Sequence, residues 1–262
     1  MKTSAVLAFL DFFKACDTVD RNLLYSIMDA MGVNAEFVRW VRILLSSTRF
    51  VSVVNGFKSR PFPTYAGVRQ GCPLSPFLYL LVAHALQCWL RACGIGVRVA
   101  GLLCAAVQHA DDTQVLLPSL DPSCVQRFVE HMNVFRSASG QTLNLSKCQL
   151  LPVGSHPGTV PAGTSVAGIK VVDAATAFGI TINNAASPQS TTAAAVDWST
   201  ILSKIKHTYT TLSRLPLSTF GRAFGAAGLG ISKALYHPEF SDMPSKIADA
   251  LTKITTKLVD RH

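Results

Sequence analysis

Two adjacent carboxylates interrupt an otherwise apolar strand pattern near the middle of this chain. Asp111 and Asp112 lie between the runs "GVRVAGLLCAAVQ" and "TQVLL", which both have the composition of strands. Burying a pair of carboxylates is costly unless a cation meets them. Because successive side chains of a regular strand point to opposite faces, both can serve one site only at the tip of a tight hairpin. The pattern therefore predicts a hairpin that presents two carboxylates.

A third carboxylate, Asp11, ends the other strongly apolar strand pattern, "AVLAFLDF". If the two strands are neighbours, the three acids converge, and their repulsion raises some pKa values unless divalent cations neutralise them. Hard oxygen ligands favour Mg²⁺ or Mn²⁺. Two such ions about 3.5–4 Å apart can activate a hydroxyl and stabilise a leaving phosphate oxygen, which is the chemistry of nucleotidyl transfer. A solvated turn at the aspartate pair and a strand-end cap at Asp11 are simpler alternatives, and both stay open.

The charge and the cysteine content narrow the class of protein. The 262 residues carry 24 Lys and Arg against 15 Asp and Glu, and this net charge of +9 favours a polyanionic partner. The seven cysteines form no CxxC pair, so we predict reduced thiols in an intracellular protein of the nucleus or cytoplasm. Charged residues from Asp11 onward interrupt the apolar start, and no apolar segment reaches the roughly 20 residues of a membrane span. We therefore expect no membrane partner, and the oligomeric state stays open.

Local patterns predict a mixture of helices and strands. Asp20 is a good N-cap for "RNLLYSIMDAM", and Asn55-Gly56 is a strong hairpin signal between short apolar runs. Further helices are predicted from about Pro76 to Ala92 and from Asp121 to about Ser139. The last part of the chain is predicted to be helical, and it includes a stretch with five Lys and Arg and no acid. That stretch is either a solvated helix face or a contact to a nucleic-acid backbone.

Several longer strings occur in order along the chain. They are "FLDFFKACDTVDRNLL", "VNGFKSRPFPTYAGVRQGCPLSPFLYLL", "QHADDTQV", "SGQTLNLSKCQ" and "FGITI", followed by "DWSTILSKI" and "LPLSTFGRAFGAAGLGISKALY". The first five resemble the palm motifs, and the last two the thumb, of reverse transcriptases from non-LTR (LINE-type) retrotransposons. The resemblance runs from about Ala5 to Tyr236 and implies an α+β, right-hand polymerase-like fold. We expect a palm, an antiparallel sheet backed by helices, over residues 1–185 and a helical thumb-like region over residues 186–262.

The same resemblance implies a function and a set of site residues. The function is RNA-directed DNA polymerase activity on an RNA template, a DNA primer and dNTPs, by two-metal nucleotidyl transfer. Asp11, Asp111 and Asp112 would be the catalytic residues and would hold two Mg²⁺ ions, with Mn²⁺ as a substitute. The nucleotide-binding residues would be Phe12 through its backbone, Cys16, Arg69, Gln70, Gly71 and Lys147, and the primer grip would include Phe178 and Gly179.

Two departures from the family's pattern bear on activity. Cys16 replaces the Phe, or the Tyr of retroviral relatives, that lies beneath the sugar and excludes a 2′-hydroxyl, so we expect weaker discrimination against ribonucleotides. Only ten residues precede Asp11, so we expect the fingers to be missing and the chain alone to have little activity. A catalytically inactive, nucleic-acid-binding transposon remnant is the alternative function. A group II intron maturase shares the palm chemistry, but the string "GVRQGCPLSP" favours the LINE type.

Overall fold

Strand β1 (Ala5–Leu10), in which buried and half-buried residues alternate, lies inside the main sheet. The structure is a computed structural model, and it describes residues 5–154, 161–177, 180–183, 194–239 and 242–260. Val6, Ala8 and Leu10 are buried, whereas the residues between them are half-buried. One face of β1 therefore lies against the core, as expected for a strand whose side chains alternate between two faces.

The other strands and the helices are numbered in chain order. The strands are β2 (Arg49–Phe50), β3 (Val53–Val54), β4 (Phe57–Lys58), β5 (Phe62–Pro63), β6 (Val97–Val99), β7 (Leu102–Cys104), β8 (Ala106–His109), β9 (Asp112–Leu117), β10 (Gln149–Val153), β11 (Ser165–Val166), β12 (Ile169–Val171), β13 (Ala174–Ala177), β14 (Ile180–Asn183) and β15 (Ala194–Ala195). The helices are α1 (Arg21–Ala30), α2 (Ala35–Ser46), α3 (Ser75–Ala92), α4 (Pro122–Ser139), α5 (Trp198–Ser213), α6 (Thr219–Ala226), α7 (Ser232–Leu235) and α8 (Ser245–Val259). A π-helical turn, Ala227–Ile231, joins α6 to α7, and a 3₁₀ turn follows at His237–Glu239.

The main sheet has six strands in the order β11, β12, β10, β1, β9, β8. All neighbouring pairs in it are antiparallel except β10 and β12, which are parallel. Its core-facing residues share one buried cluster with residues of α1, α2, α3 and α4. The expected α+β class, with a largely antiparallel sheet backed by helices, is confirmed, and the parallel pair at one side is the departure from it.

The core of this sheet and its helices is built from side chains that lose nearly all contact with water. Those that are at most 1% exposed include Leu24 and Met28 of α1, Leu90 of α3, Leu117 of β9, Phe128 of α4 and Leu150 of β10. Burying a side chain of this size contributes about 1.5–3 kcal/mol. The apolar positions of the sequence that recur at helical or strand spacing therefore account for this core.

Most of the predicted local signals are confirmed. The Asp20 carboxylate accepts a hydrogen bond from the Leu23 N–H at 2.8 Å and caps α1. Asn55 and Gly56 have φ of 50° and 83°, and they join β3 to β4. The run before the aspartate pair, which has the composition of strands, forms three of them. It turns back between Val99 and Leu102 to form a β6–β7 hairpin before β8 begins, because two successive residues there adopt positive φ.

The chain divides into two compact units, Met1–Ala175 with Asn184–Pro188 and Thr176–Asn183 with Gln189–His262. The division expected from the sequence lies between residues 185 and 186, and the residues from Thr176 to Asn183 belong here to the second unit. The second unit has its own apolar core around Trp198, Ile205 and Leu258. Asp197 caps α5, and hydrogen bonds from the hydroxyls of Ser199 and Thr200 hold the pKa of its carboxyl at about 2.

Within the described residues, no helix combines the length and the apolar character that crossing a membrane requires.

Candidate functional site

The aspartate pair lies at the tip of a tight hairpin, as its sequence predicts. Strands β8 and β9 pair in a register that ends with His109 opposite Asp112. Ala110 and Asp111 are left as a two-residue connection, and Ala110 has φ of 54°. Two-residue hairpin turns of the commonest kind need positive φ in the connection, so Ala110 adopts the left-handed conformation. Asp111 is consequently in the turn, whereas Asp112 is the first residue of β9.

The register between β1 and β9 determines where Asp11 lies. Leu10 is paired with Thr113, and both are buried on the core side of the sheet. Continuing this antiparallel register by one residue places Asp11 opposite Asp112, on the face of the sheet away from the core. Directly opposed side chains on one face of an antiparallel pair have Cβ atoms about 4.5–5.5 Å apart. Two carboxylates that are far apart in the sequence are therefore neighbours on one face of the sheet.

The backbone around Asp11 is held by the segment that precedes β10. The Asp11 carbonyl accepts a hydrogen bond from the Asn144 N–H at 2.9 Å, and the Asp11 N–H donates to Cys148 Sγ at 3.4 Å. Phe12 forms an isolated antiparallel bridge with Leu143. The hydrogen bonds of this bridge belong to the residues on either side of Phe12. The Phe12 carbonyl, expected to be a further metal ligand, is thus left unused by the bridge.

The chemistry of the three carboxylates fits a divalent cation, but they do not form a ready-made cluster. Among the residues that the structure describes, no group of three or more His, Cys, Asp or Glu side chains is close enough to hold a metal ion. The β1–β9 register, extended by one residue beyond Leu10 and Thr113, sets Asp11 opposite Asp112, and Asp111 lies in the adjoining turn. The residues that could hold Mg²⁺ are therefore this opposed pair, with Asp111 next to it, and all of them offer the hard oxygen ligands that Mg²⁺ prefers.

A cavity of about 820 Å³ adjoins the hairpin tip. Its lining includes four of the six residues expected to bind the nucleotide, namely Cys16, Arg69, Gln70 and Gly71, together with Asp111. The structure therefore brings residues 16, 69–71 and 111 to one site. Asp11, Phe12, Asp112 and Lys147 are described but lie outside its lining. Lys147 is an exposed residue of the segment that holds Asp11, and the two primer-grip residues, Phe178 and Gly179, lie outside the described residues.

The wall of this cavity is built by close backbone contact between two segments. The Val68 N–H donates to the Cys16 carbonyl at 2.8 Å, and the Gly67 N–H donates to the Val19 carbonyl at 2.8 Å. Gly67 has φ of 82°, and a Cβ there would lie 2.5 Å from the Asp17 carbonyl oxygen. Only glycine allows the two backbones to approach so closely at this position. The "AGVRQG" string thus positions Arg69 and Gln70 next to Cys16.

Arg21, which was not predicted from the sequence, holds this loop by hydrogen bonds from its buried side. Arg21 is 8% exposed, and its guanidinium donates to the carbonyls of Gly67 at 3.0 Å, Leu45 at 2.8 Å, Thr64 at 2.9 Å and Ala66 at 3.0 Å. The helical spacing of α1 contained a signal for it. Arg21 lies three residues before Leu24, on the same buried side of α1, where a charged residue needs partners.

Tyr79 and Gln141 form a second buried link that was missed. The Tyr79 hydroxyl donates to Gln141 Oε1 at 3.3 Å, and Gln141 Nε2 donates to the Ala15 carbonyl at 2.9 Å. Burial raises the pKa of Tyr79, and the negative charges that Cys16 and Asp111 can carry raise it further. Tyr79 is therefore a neutral hydrogen-bond donor that ties the floor of the cavity to the turn carrying Cys16.

The two thiols of the cavity have opposite electrostatic environments. Burial, and then the charge of Asp111, raises the pKa of Cys16. The Leu74 N–H at the start of α3 is the largest of the influences that lower the pKa of Cys72. Thiolates are stabilised at helix N-termini because unpaired N–H groups point at them. The two cysteines should therefore differ in reactivity although they line one cavity.

One family model and two curated relatives match parts of this chain. The model of the family described as reverse transcriptase (RNA-dependent DNA polymerase) matches residues 1–184. A Xenopus laevis protein described as the transposon TX1 uncharacterized 149 kDa protein is 32% identical over 158 residues, which are 59% of this chain and 12% of that protein. The Pol polyprotein from the type-2 retrotransposable element R2DM of Drosophila melanogaster is 30% identical over 154 residues, which are 59% of this chain and 14% of that protein. The chain thus spans only a small part of the length of these relatives.

A solved structure shows the same fold. Apo telomerase from Candida tropicalis aligns with 99% of this chain and 42% of its own chain, with a TM-score of 0.51 and 13% sequence identity. At that level of identity the likeness concerns the fold alone.

Proposed function

This chain belongs to the reverse transcriptase (RNA-dependent DNA polymerase) family, and we propose that it carries the polymerase site of a non-LTR retrotransposon protein. In this proposal the chain performs RNA-directed DNA synthesis by two-metal nucleotidyl transfer. The observation that carries the proposal is the β1–β9 register, which pairs Leu10 with Thr113; extended by one residue, it would set Asp11 opposite Asp112 with Asp111 in the adjoining turn. One of the three acids, Asp111, lines a cavity with room for a nucleotide.

Each part of the site has a separate role in the proposed reaction. The opposed carboxylates of Asp11 and Asp112, together with Asp111, hold Mg²⁺ or Mn²⁺, and the Phe12 carbonyl is a further oxygen ligand. Ions held there would supply activation of the primer hydroxyl and stabilisation of the leaving pyrophosphate oxygen. Arg69 and Gln70 orient the incoming dNTP against the wall formed by Gly71, as positioning supplies much of the rate in transfers of this kind. The remaining members of the proposed site are Lys147, which assists pyrophosphate departure, and Phe178 and Gly179, which grip the primer.

We further propose that residues 1–185 act as the palm and residues 186–262 as a thumb that contacts the template–primer duplex. The support is the charge of the stretch from Trp198 to Pro238, which has five Lys and Arg and no acid. Such residues neutralise backbone phosphates without reading sequence. The partners are accordingly an RNA template, a DNA primer and dNTPs. An intracellular location, in the nucleus or cytoplasm, is proposed because all seven cysteines are free thiols.

Primer extension tests the polymerase proposal. The full chain is incubated with poly(rA)/oligo(dT), dTTP and Mg²⁺, and compared with Asp111→Asn and Asp112→Asn. Each variant keeps the side-chain size and removes the charge that a cation needs, so extension is expected to fall about a hundredfold or more. Asp29→Asn is the matched control, because Asp29 is a 60% exposed carboxylate in α1, an element outside the site. Extension that is independent of the metal and of both aspartates would contradict the proposal.

A catalytically inactive, nucleic-acid-binding remnant is the second candidate. It is favoured by the lack of a ready-made three-carboxylate cluster among the described residues. The same experiment separates the two candidates. If the wild-type chain shows no metal-dependent extension but still binds the poly(rA)/oligo(dT) duplex, the remnant is the correct function.

A further inference from the structure

A long part of the first unit is free of negative charge in its sequence. From residue 37 to residue 110 there is no Asp or Glu, whereas eight Lys and Arg occur. Within it, residues 49–65 carry exposed aromatic side chains that no core packing explains. These are Phe50 at 43%, Phe57 at 81%, Phe62 at 44% and Tyr65 at 84% exposure. Aromatic rings interleaved with basic residues are the composition of surfaces that bind single-stranded nucleic acid.

Three of these four rings line one cleft. Phe50 and Phe62 are directly paired across β2 and β5, so their rings lie side by side. Together with Tyr65 they line a cavity of about 570 Å³, which we call the aromatic cleft. Phe57 lies on the separate β3–β4 hairpin and is not in the lining of the cleft. The cleft therefore gathers rings from two short strands and the loop that follows them.

The charges of the aromatic cleft favour an anion. Lys14, Arg21 and Arg69 line it, and Asp17 is its single carboxylate among the described residues. The Asp17 carboxylate accepts a hydrogen bond from Gln70 Nε2 at 3.1 Å. Lys14 and Arg69 are exposed and can reach a ligand, while Arg21 is buried and adds its positive charge to the floor. With three cations and one carboxylate, the cleft is better suited to bind a phosphate backbone than to bind a partner protein whose surface lacks acidic residues.

The aromatic cleft shares a wall with the cavity that contains the proposed nucleotide site. Val68 and Arg69 line both cavities, one on each side of the same loop. A ligand in the aromatic cleft would therefore lie across this loop from a nucleotide in the other cavity.

We propose that the aromatic cleft binds unpaired nucleotides of a single-stranded nucleic acid, with bases stacked on Phe50, Phe62 and Tyr65 and phosphates beside Lys14 and Arg69. The identification of this strand as the template rests on the proposed polymerase function. Binding itself does not, because stacking and charge neutralisation need no metal and no dNTP.

The test measures binding by fluorescence anisotropy with the full chain in EDTA and without dNTPs. The probe is a fluorescein-labelled, mixed-sequence RNA of about 15 nucleotides, within the site sizes known for single-strand binding surfaces. Tyr65→Ala is expected to raise Kd by about fivefold or more, since a stacked base is worth at least about 1 kcal/mol. Tyr65→Trp keeps a stacking ring and is expected to bind as the wild type does.

Phe57→Ala is the matched control, because Phe57 and Tyr65 are 81% and 84% exposed and only Tyr65 lines the cleft. Its Kd should stay within about twofold of the wild-type value. Lys14→Asn tests the charge and suits a residue with φ of 51°, which Asn tolerates. It should reduce the slope of log K against log salt concentration by about 0.7.

Two results would overturn the proposal. One is an equal effect of Tyr65→Ala and Phe57→Ala on the single strand. The other is an equal loss for a blunt RNA duplex, whose bases are already stacked and cannot enter the cleft. If the chain fails to extend a primer but binds RNA in a Tyr65-dependent manner, the proposed cleft is supported and the proposed polymerase function is rejected. The opposite pattern keeps the polymerase and rejects the cleft.

Discussion

Replacing Arg21 by methionine should destabilise the first unit strongly. Arg21 is a buried residue of α1, and its guanidinium holds the loop that lines both cavities. Its guanidinium donates to the carbonyls of Leu45, Thr64, Ala66 and Gly67 at 2.8–3.0 Å. Methionine fills a similar volume but offers no donor. The four carbonyls then lose a charged partner in a region where water reaches them poorly.

The magnitude follows from counting those carbonyls. A buried acceptor left without a partner costs about 1–3 kcal/mol. The Leu45 carbonyl keeps a hydrogen bond from the Thr48 hydroxyl, so three carbonyls lose their partner. If the loop relaxes enough to expose one of these to water, two remain, and the free energy of unfolding falls by about 2–6 kcal/mol. Removing a buried partner from a comparable charged network costs about 3–5 kcal/mol. We therefore expect a loss of about 4 kcal/mol, which is a large part of the stability of an ordinary domain.

Urea unfolding followed by circular dichroism measures this loss. Arg42→Met is the matched control, since Arg42 is 51% exposed in the neighbouring helix α2. Its contacts are an ion pair with Asp29 at 4.0 Å and a position 4.1 Å from the ring centre of Tyr25. Exposed contacts of these kinds contribute about 1 kcal/mol or less each. If Arg21→Met and Arg42→Met lower the free energy of unfolding equally, the assigned role of Arg21 is wrong.

Three further predictions concern the same loop and cavity. Cys16→Phe should raise the preference for dNTPs over rNTPs in primer extension about tenfold or more, because it restores bulk beneath the sugar, and unchanged ratios would reject this role of Cys16. Gly67→Ala should lower the free energy of unfolding by about 2 kcal/mol more than Gly56→Ala. Both glycines have similar positive φ, but only at Gly67 would a Cβ collide with the Asp17 carbonyl, so equal urea midpoints would contradict the collision. Iodoacetamide at mildly alkaline pH should label Cys72 before Cys16, as followed by peptide mass spectrometry, because the lowered pKa of Cys72 gives more thiolate there and burial raises the pKa of Cys16. Labelling in the reverse order would show that the start of α3 does not stabilise the Cys72 thiolate.

The sequence predicted the features that depend on neighbouring residues. The cap at Asp20 and the hairpin turn at Asn55 and Gly56 are set by backbone preferences within a few positions. The tight turn before Asp112 was inferred from the aspartate pair instead, since Ala110 adopts there a positive φ that alanine disfavours. The apolar run before the aspartate pair forms a β6–β7 hairpin and then β8, and its composition did not show where it turns.

The candidate site was predictable in part. Cys16 and the residues from Arg69 to Gly71 came from the resemblance, and the structure gathers them around one cavity with Asp111. Lys147 lies away from that cavity, and its role in the reaction stays a prediction. Arg21 was missed because its partners are carbonyls, and a carbonyl of a distant loop leaves no mark in the residue types of a sequence.

By itself, the sequence determined which segments become strands, helices and tight turns, because those choices depend on side-chain periodicity and on φ preferences that act over a few residues. The tertiary structure decided which residues of different strands and loops lie opposite one another. The register that sets Asp11 against Asp112 is chosen by burying Leu10 with Thr113, and shifting it by one residue would turn every buried side chain of β1 to the wrong face. The aromatic cleft likewise exists only because the loop around Gly67 packs against the turn that follows β1.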